Sequence, residues 1–298
     1  MNVYVTGGTG FIGSYVVKEL AAAGHAVTIL AKNPTKVPAL AALPGVRILH
    51  ADMQDSAALD AAIHDCDALV HIALCWGDTG PEMIARETLA SVRLLELAVN
   101  KGAKKIIYTS STAATGYSLR ATDEGSPLRP EDFYGASKGA VELFISAYAR
   151  KHATPSFNII RPGYTFGNPV VAGGSMESDG RFREICAKAK QNAPIELIKN
   201  DGTQFIWAGD LARVYKSVLD SEVKNEIFFG LSRNFVRWEE IARWVIAATG
   251  SKSEIVLQDC GRPDDPSLFV ADKIDKYFAL RFDSRDRLRE HVGYLLAR

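Results

Sequence analysis

Apolar and polar positions recur along this chain in a fixed order: a short β-branched run, a polar turn, then a longer stretch with helical spacing. The first run is NVYV, residues 2 to 5, leading into TGGTGFIG at 6 to 13. YVVKELAAAG follows, and its spacing predicts a helix stopped by Gly24. Further strands are predicted at AVTIL (26–30), VRILH (46–50), ALVHIA (68–73), KKIIYTSST (104–112) and FNIIRPG (157–163). DSAALDAAIHD reads as a helix with Asp55 as its N-cap. Residues 81–101 read as one long helix, with Met83, Ile84, Leu89, Val92, Leu94, Leu95, Leu97 and Val99 forming a band too broad for one buried face.

Strand–helix alternation predicts an α/β fold, a doubly wound parallel sheet, with ligands beyond the carboxyl ends of its strands. From about residue 164 the pattern loosens. GNPVVAGGSMESDG (167–180) is a Gly- and Ser-rich loop suited to a mobile wall over a substrate. A helix over 181–191, a strand and helix within 201–219, a strand at EIFFG and closing helices over 238–249 and 283–296 follow. The expected division is a larger unit of 1–164 plus about 205–230, and a smaller, discontinuous one of 165–204 plus 231–298.

Charge narrows the partners. Lys and Arg number 35, as do Asp and Glu, so no net field favours nucleic acid or an anionic membrane surface. No apolar run is long enough to span a bilayer, and no signal peptide precedes the first strand. Cys66, Cys75, Cys186 and Cys260 are scattered without C-x-x-C spacing, which reads as reduced thiols of a cytoplasmic protein. No histidine pair has ligand spacing, and no metal is expected.

Two stretches carry the chemistry. In TGGTGFIG, Gly7 permits a tight turn, Gly10 lets the backbone approach a pyrophosphate, and Gly13 lets the helix pack on the sheet. The helix start at Phe11 and Ile12 then offers free N–H groups and a partial positive charge. In YGASK, Tyr134 and Lys138 are four apart and share a helix face. A phenol, with a pKa of ~10, is a poor base at neutral pH, and a nearby ammonium stabilises its phenolate. Taken alone, such a pair is an ordinary surface feature. His71 reads as a packed strand residue rather than a catalyst.

Together with YTSSTAATG at 108–116, these stretches resemble the extended short-chain dehydrogenase/reductase superfamily, in its NAD-dependent epimerase/dehydratase family, over essentially the whole chain. The resemblance implies a Rossmann domain carrying NAD or NADP, a small-molecule substrate and a homodimer formed through the long helix and the helix starting at Tyr134. It implies a catalytic triad of Ser111, Tyr134 and Lys138, in which Ser111 polarises the substrate oxygen, Tyr134 exchanges a proton and Lys138 holds the nicotinamide ribose. Asp52 and Met53 would meet the adenine, and Ala73 and Pro162 would lie beside the cofactor. The family's NAD-selective acid would sit at Ala31, and Lys32 follows it, so the resemblance points to NADP ahead of NAD. Glu87 stands where the family commonly has Asn.

The reaction is open between relatives that share this core. Thr112 and Ala113 stand where dehydratases carry an Asp–Glu pair, and Thr112 also where epimerase-reductases carry Cys, so neither reading fits. Tyr164 replaces an Asn, and Thr203 an Arg, that grip the diphosphate of a nucleotide sugar. These differences favour hydride transfer at an alcohol or carbonyl carbon of a sugar-like or small carbonyl substrate. The alternative is a nucleotide-sugar 4-epimerase with tightly bound NAD, its lost phosphate contacts taken over by Arg181 or Arg183. A third reading is a dinucleotide sensor without catalysis.

Overall fold

The computed structural model describes residues 1–116, 120–266 and 268–298. Seven strands form one parallel sheet: β1 (Asn2–Thr6), β2 (Ala26–Ala31), β3 (Val46–His50), β4 (Ala68–His71), β5 (Lys105–Thr109), β6 (Ser156–Pro162) and β7 (Ile227–Gly230). Their spatial order is β7-β6-β5-β4-β1-β2-β3, parallel at every pairing. The order reverses between β1 and β4, where a crevice opens at the carboxyl ends.

Strand burial explains the sequence pattern. β1, β4 and β6 are buried along nearly their whole length, because helices cover both sheet faces. One face packs α1 (Phe11–Ala22) and α6 (Ala208–Asp220) over Val3, Val5, Ile29 and Val70. The other packs α2 (Ser56–Ala62), α3 (Leu89–Asn100) and α4 (Phe133–Lys151) over Tyr4, Leu69, Ile106 and Tyr108. Asp55 caps α2 as its side chain predicts, accepting the Ala58 N–H.

A third apolar cluster joins α5 (Arg181–Lys190), α7 (Trp238–Thr249) and α8 (Arg285–Leu296) around Phe166, Phe182, Phe205 and Trp238. Three two-stranded pairings stitch this part together, among them Ile195–Ile198 with Ile255–Gln258. Ile274, Leu280 and Phe282, although late in the chain, pack in the first cluster against the sheet.

The long helix expected over 81–101 is not continuous. A short turn at Gly80–Met83 passes into a π-helical turn at Ile84–Thr88 before α3 begins. The wide turn carries Glu87 and Thr88 inward and leaves Ile84 and Leu89 exposed. Such turns are confined to places where something offsets their poorer geometry. Here it is the bonding of Glu87, described below. No described helix is long and apolar enough to cross a membrane.

Candidate active site

The crevice is a cleft of about 1100 Å³ that runs from β2 past the β1–α1 turn to the start of α4. Its first half is made by backbone. Gly7 has φ +72°, and a Cβ there would lie 2.6 Å from the Ala73 nitrogen. A Cβ on Gly13 would lie 2.1 Å from the Gly7 carbonyl oxygen. Only glycine lets turn, helix and β4 close on each other this tightly. Gly10 is the N-cap of α1, no side chain caps the first turn, and Phe11, Ile12 and Gly13 line the cleft. An uncapped helix start beside a glycine cradle fits the pyrophosphate of a dinucleotide.

Ala31, Lys32, Lys36, Asp52 and Met53 line the cleft beyond this turn, and Ala73 lines it at the end of β4. Lys32 Nζ lies 3.0 Å from Asp52 Oδ2. The Gln54 N–H, and after it Lys32, hold the Asp52 carboxyl below the usual carboxylate range. At the seam with β4, the His71 ring bonds Thr6 Oγ1 at 2.7 Å and Ser91 Oγ at 2.9 Å. Burial, with Lys138 nearby, depresses its pKa to about 3. It is a packed, neutral imidazole, as the strand pattern implies.

The other half is made by side chains. Asp132 caps α4 by accepting the Gly135 N–H at 2.6 Å. A Cβ on Gly135 would lie 2.3 Å from the Ala113 oxygen, so α4 starts directly on the short 3₁₀ turn at Thr112–Ala114. That contact brings Tyr134 and Lys138 to the cleft wall that Ser111 also lines. Ser111 Oγ accepts the Ala113 N–H at 3.1 Å, so it caps the turn as well.

Lys138 is buried, and its Nζ donates to Glu87 Oε1 at 2.7 Å. Nζ lies 5.9 Å from the Tyr134 ring centroid and 5.2 Å from that of Tyr108. Burial alone would lower the lysine pKa, but Tyr108 and Glu87 outweigh it and raise it above its ordinary value. The second Glu87 oxygen accepts the Cys75 N–H at 2.8 Å.

One turn beyond Lys138, Glu142 takes the Ser110 hydroxyl in a short hydrogen bond. It also takes Arg161 Nε at 2.9 Å and Nη2 at 2.6 Å. Both charges are buried. This bidentate pair ties α4 to the ends of β5 and β6. The sequence reading missed Glu142, although the i, i+4, i+8 series Tyr134, Lys138, Glu142 marks one helix face. It also missed Trp76, which lines the cleft with its ring 6.2 Å from that of Tyr134 and tilted 29°.

Not every expected residue reaches the cleft. Thr112, Tyr164 and Thr203 do not line it. Tyr164 turns into the third core, edge-on to Phe182, Phe205 and Trp238, because that aromatic cluster buries its ring. Thr203 pairs with Val236 in a two-residue ladder, and Thr112 opens the 3₁₀ turn. Arg181 bonds Asp201 and lies over Trp238, while Arg183 bonds Glu177. The 167–180 loop does supply a wall through Ser175, Met176 and Ser178. It is pinned, with Glu177 buried against Arg183 and the Asn168 oxygen taken by Tyr15.

Comparison with known proteins agrees with this geometry. The chain is 30% identical to dTDP-4-dehydro-6-deoxy-D-allose reductase of Streptomyces bikiniensis, over 88% of this chain and 85% of that protein. It is 29% identical to D-erythronate dehydrogenase of Cupriavidus necator over 65% of each chain. The UDP-glucuronic acid 4-epimerase of Bacillus cereus, solved with NAD, superposes with a TM-score of 0.83 at 18% identity, covering 99% of this chain and 98% of that one. The sequence profile of the NAD dependent epimerase/dehydratase family matches residues 3–229. With most of the chain matched and the glycine turn and triad lining one cleft, this protein belongs to the NAD dependent epimerase/dehydratase family of NAD(P)-dependent enzymes.

Proposed function

We propose that the protein interconverts an alcohol and a carbonyl by hydride transfer, on a sugar-like or small carbonyl substrate without a nucleotide tail. One observation carries this reading. Ser111, Tyr134 and Lys138 share a cleft with the glycine turn, whereas Tyr164, Thr203, Arg181 and Arg183 do not line it. The four positions weighed for gripping a sugar-nucleotide diphosphate are thus absent from the wall. Gly7, Gly10, Phe11, Ile12 and Gly13 would hold the pyrophosphate, Asp52 and Met53 the adenine, and Ala73, Pro162 and Lys138 the nicotinamide riboside. When bound, the nicotinamide supplies hydride to a carbonyl carbon or takes it from a carbinol carbon. In reduction the Ser111 hydroxyl bonds the substrate oxygen and Tyr134 gives that oxygen its proton, so an alcohol forms and water restores the phenol. Oxidation runs the same proton path in reverse.

Two lysines at the adenosine end and no acid at Ala31 support NADP over NAD. Exposed Phe133, Leu143 and Phe144 on α4, with Ile84 and Leu89, support a homodimer through this face. Free thiols, with burial pushing Cys66 up to about 12 and Cys186 up to about 11, support a cytoplasmic setting. We take residues 1–164 plus about 205–230 as the dinucleotide unit, and 165–204 plus 231–298, which carry most of the third core, as the substrate unit.

The nucleotide-sugar 4-epimerase reading keeps one specific support, Arg86 on the cleft wall, whose Nη1 donates to the Trp76 carbonyl at 3.3 Å. Denaturing the purified protein and identifying the released dinucleotide separates the two. An empty protein that binds NADPH more tightly than NADH fits the first reading. Near-stoichiometric, non-exchanging NAD replaces it with the second. Tyr134→Phe should keep cofactor affinity and lose about 10²–10⁴-fold in turnover. Full turnover in that variant would overturn the triad, and a wild type that turns over no alcohol or carbonyl would leave the sensor reading.

A further inference from the structure

The π turn at Ile84–Thr88 delivers one carboxylate to the catalytic lysine. Glu87 is 1% exposed, with one oxygen on Lys138 Nζ and the other on the Cys75 N–H. Cys75 precedes Trp76, whose ring stacks on Tyr134. The cation beside the phenol is therefore half of a buried ion pair. A lone ammonium draws a phenol toward phenolate, whereas a matched pair presents a dipole whose field falls off faster.

The groups around Tyr134 leave this pair to decide its charge. From β5 comes Tyr108, and from α6 comes Tyr215, both phenols pushed up by burial. β4 and the loop after it bring His71, held neutral, and Cys75, whose thiol burial also raises. On its own helix, Asp132 caps the first turn and Glu142 is paired with Arg161. Arg86 of the π turn also lines the cleft and donates to the Trp76 carbonyl, and Lys138 and Glu87 remain as opposite charges resting on each other.

We propose that Glu87 is a positioning residue that keeps Tyr134 a proton donor at neutral pH, so that the form of the site ready for carbonyl reduction predominates there and the form ready for alcohol oxidation appears only at higher pH. This rests on the hydride-transfer reading above. In reduction the phenol O–H gives its proton to the substrate oxygen as carbon receives hydride from the reduced nicotinamide. The phenolate then recovers a proton from water. With Glu87 cancelling much of the lysine's pull, the phenol is protonated when each cycle starts. Oxidation needs the phenolate, which this arrangement withholds until the pH rises.

The test is a titration of Tyr134 by ¹³Cζ-tyrosine NMR in the protein without cofactor, the line being assigned with Tyr134→Phe. In Glu87→Gln the phenol should titrate at least about one pH unit lower than in the wild type, and Glu87→Asn should follow it. Glu87→Asp, which keeps the charge, should stay with the wild type. With cofactor and substrate, the acid limb of kcat/KM for oxidation should move down equally. An unmoved Tyr134 titration in folded Glu87→Gln, or an equal shift in Glu87→Asp, would overturn the proposal. If the neutral variants do not fold, the wild type decides. A reduction kcat/KM that already falls below about pH 8 overturns the proposal, and one that holds beyond it supports it. A shifted NMR titration without turnover of any carbonyl would instead count against hydride transfer.

Discussion

At the β1–α1 end of the cleft, the close contacts that shape the wall are backbone against backbone. At the α4 end one backbone contact, Gly135 on the Ala113 carbonyl, is joined by side chains, and mostly charged ones. Gly7, Gly13 and Ala73 meet through nitrogens, carbonyls and Cα atoms, so that half needs only that certain side chains be missing. Lys138 is held by Glu87 from the π turn, and α4 itself is tied down by Glu142, whose carboxylate takes Ser110 after β5 and Arg161 of β6. The first half depends above all on its glycines. The second depends on two buried ion pairs, and losing one partner leaves a charge stranded in the core.

The sharpest way to break this contrast is Glu142→Ala. It strands Arg161 and releases the Ser110 hydroxyl, at an expected cost of about 3–5 kcal/mol in unfolding free energy. Urea unfolding measures this directly. A loss below about 1 kcal/mol would show that α4 is held by its apolar face instead. On the backbone side the matching change is Gly13→Ala. Its Cβ would meet the Gly7 carbonyl, which cannot rotate away, and such overpacking costs about 1–3 kcal/mol. Dinucleotide affinity by calorimetry should fall while the Tyr134 environment stays as it is. Unchanged affinity would remove this turn from the cofactor site.

The same contrast explains what the sequence made legible. TGGTGFIG is contiguous, and the turn it forms is shaped by its own backbone, so eight residues are enough to read that turn. The triad is readable only because YGASK and YTSSTAATG resemble a known pattern. Glu142 and Arg161 are 19 positions apart and look like ordinary surface charges until α4 and β6 are placed side by side. Glu87 was noticed as a departure, but its depth was hidden. The apolar spacing of 81–101 reads as one α-helix, and the π turn that swings Glu87 inward leaves no mark in that period. Tyr164, expected at the substrate, does not line the cleft for a related reason. It directly follows Pro162 and Gly163, which line the cleft, but its direction depends on Phe182, Phe205 and Trp238, which arrive later in the chain. The parallel ladder of Ile195–Ile198 with Ile255–Gln258 went unseen because each run is short.

His71 sits where the two halves join, bonded to Thr6 of β1 and Ser91 of α3, and it supplies a pH test. Its folded pKa, about 3, lies below the unfolded value of ~6.5. Between these values the unfolded chain binds the extra proton, so stability is fully present above pH ~6.5 and falls as pH drops toward about 3. From pH 7 to 5.5 the loss should be about 1 kcal/mol from this residue. Urea unfolding of wild type and His71→Gln at both pH values should give a smaller difference in the variant. Equal differences would mean that the imidazole takes up its proton without disturbing the seam.

The smallest effect belongs to an exposed residue, and it tests whether charge plays any part at the backbone-built end. Lys32 is 80% exposed in its ion pair with Asp52, so the pair itself contributes little to stability. If Lys32 meets the 2′-phosphate of NADP, Lys32→Ala should weaken NADPH binding by about 1 kcal/mol, roughly fivefold, and leave NADH within a factor of two. The comparison is clean because Asp52 does not depend on Lys32 alone. The Gln54 N–H is the larger influence holding its carboxyl ionised, so adenine contacts should survive the substitution. Lys36 lines the same wall and sets the limit on the loss. Removing both lysines should therefore erase the NADPH preference while the glycine turn continues to bind either dinucleotide. A preference that persists in the double variant would place the discrimination in the backbone, extending the rule of that half to its far edge.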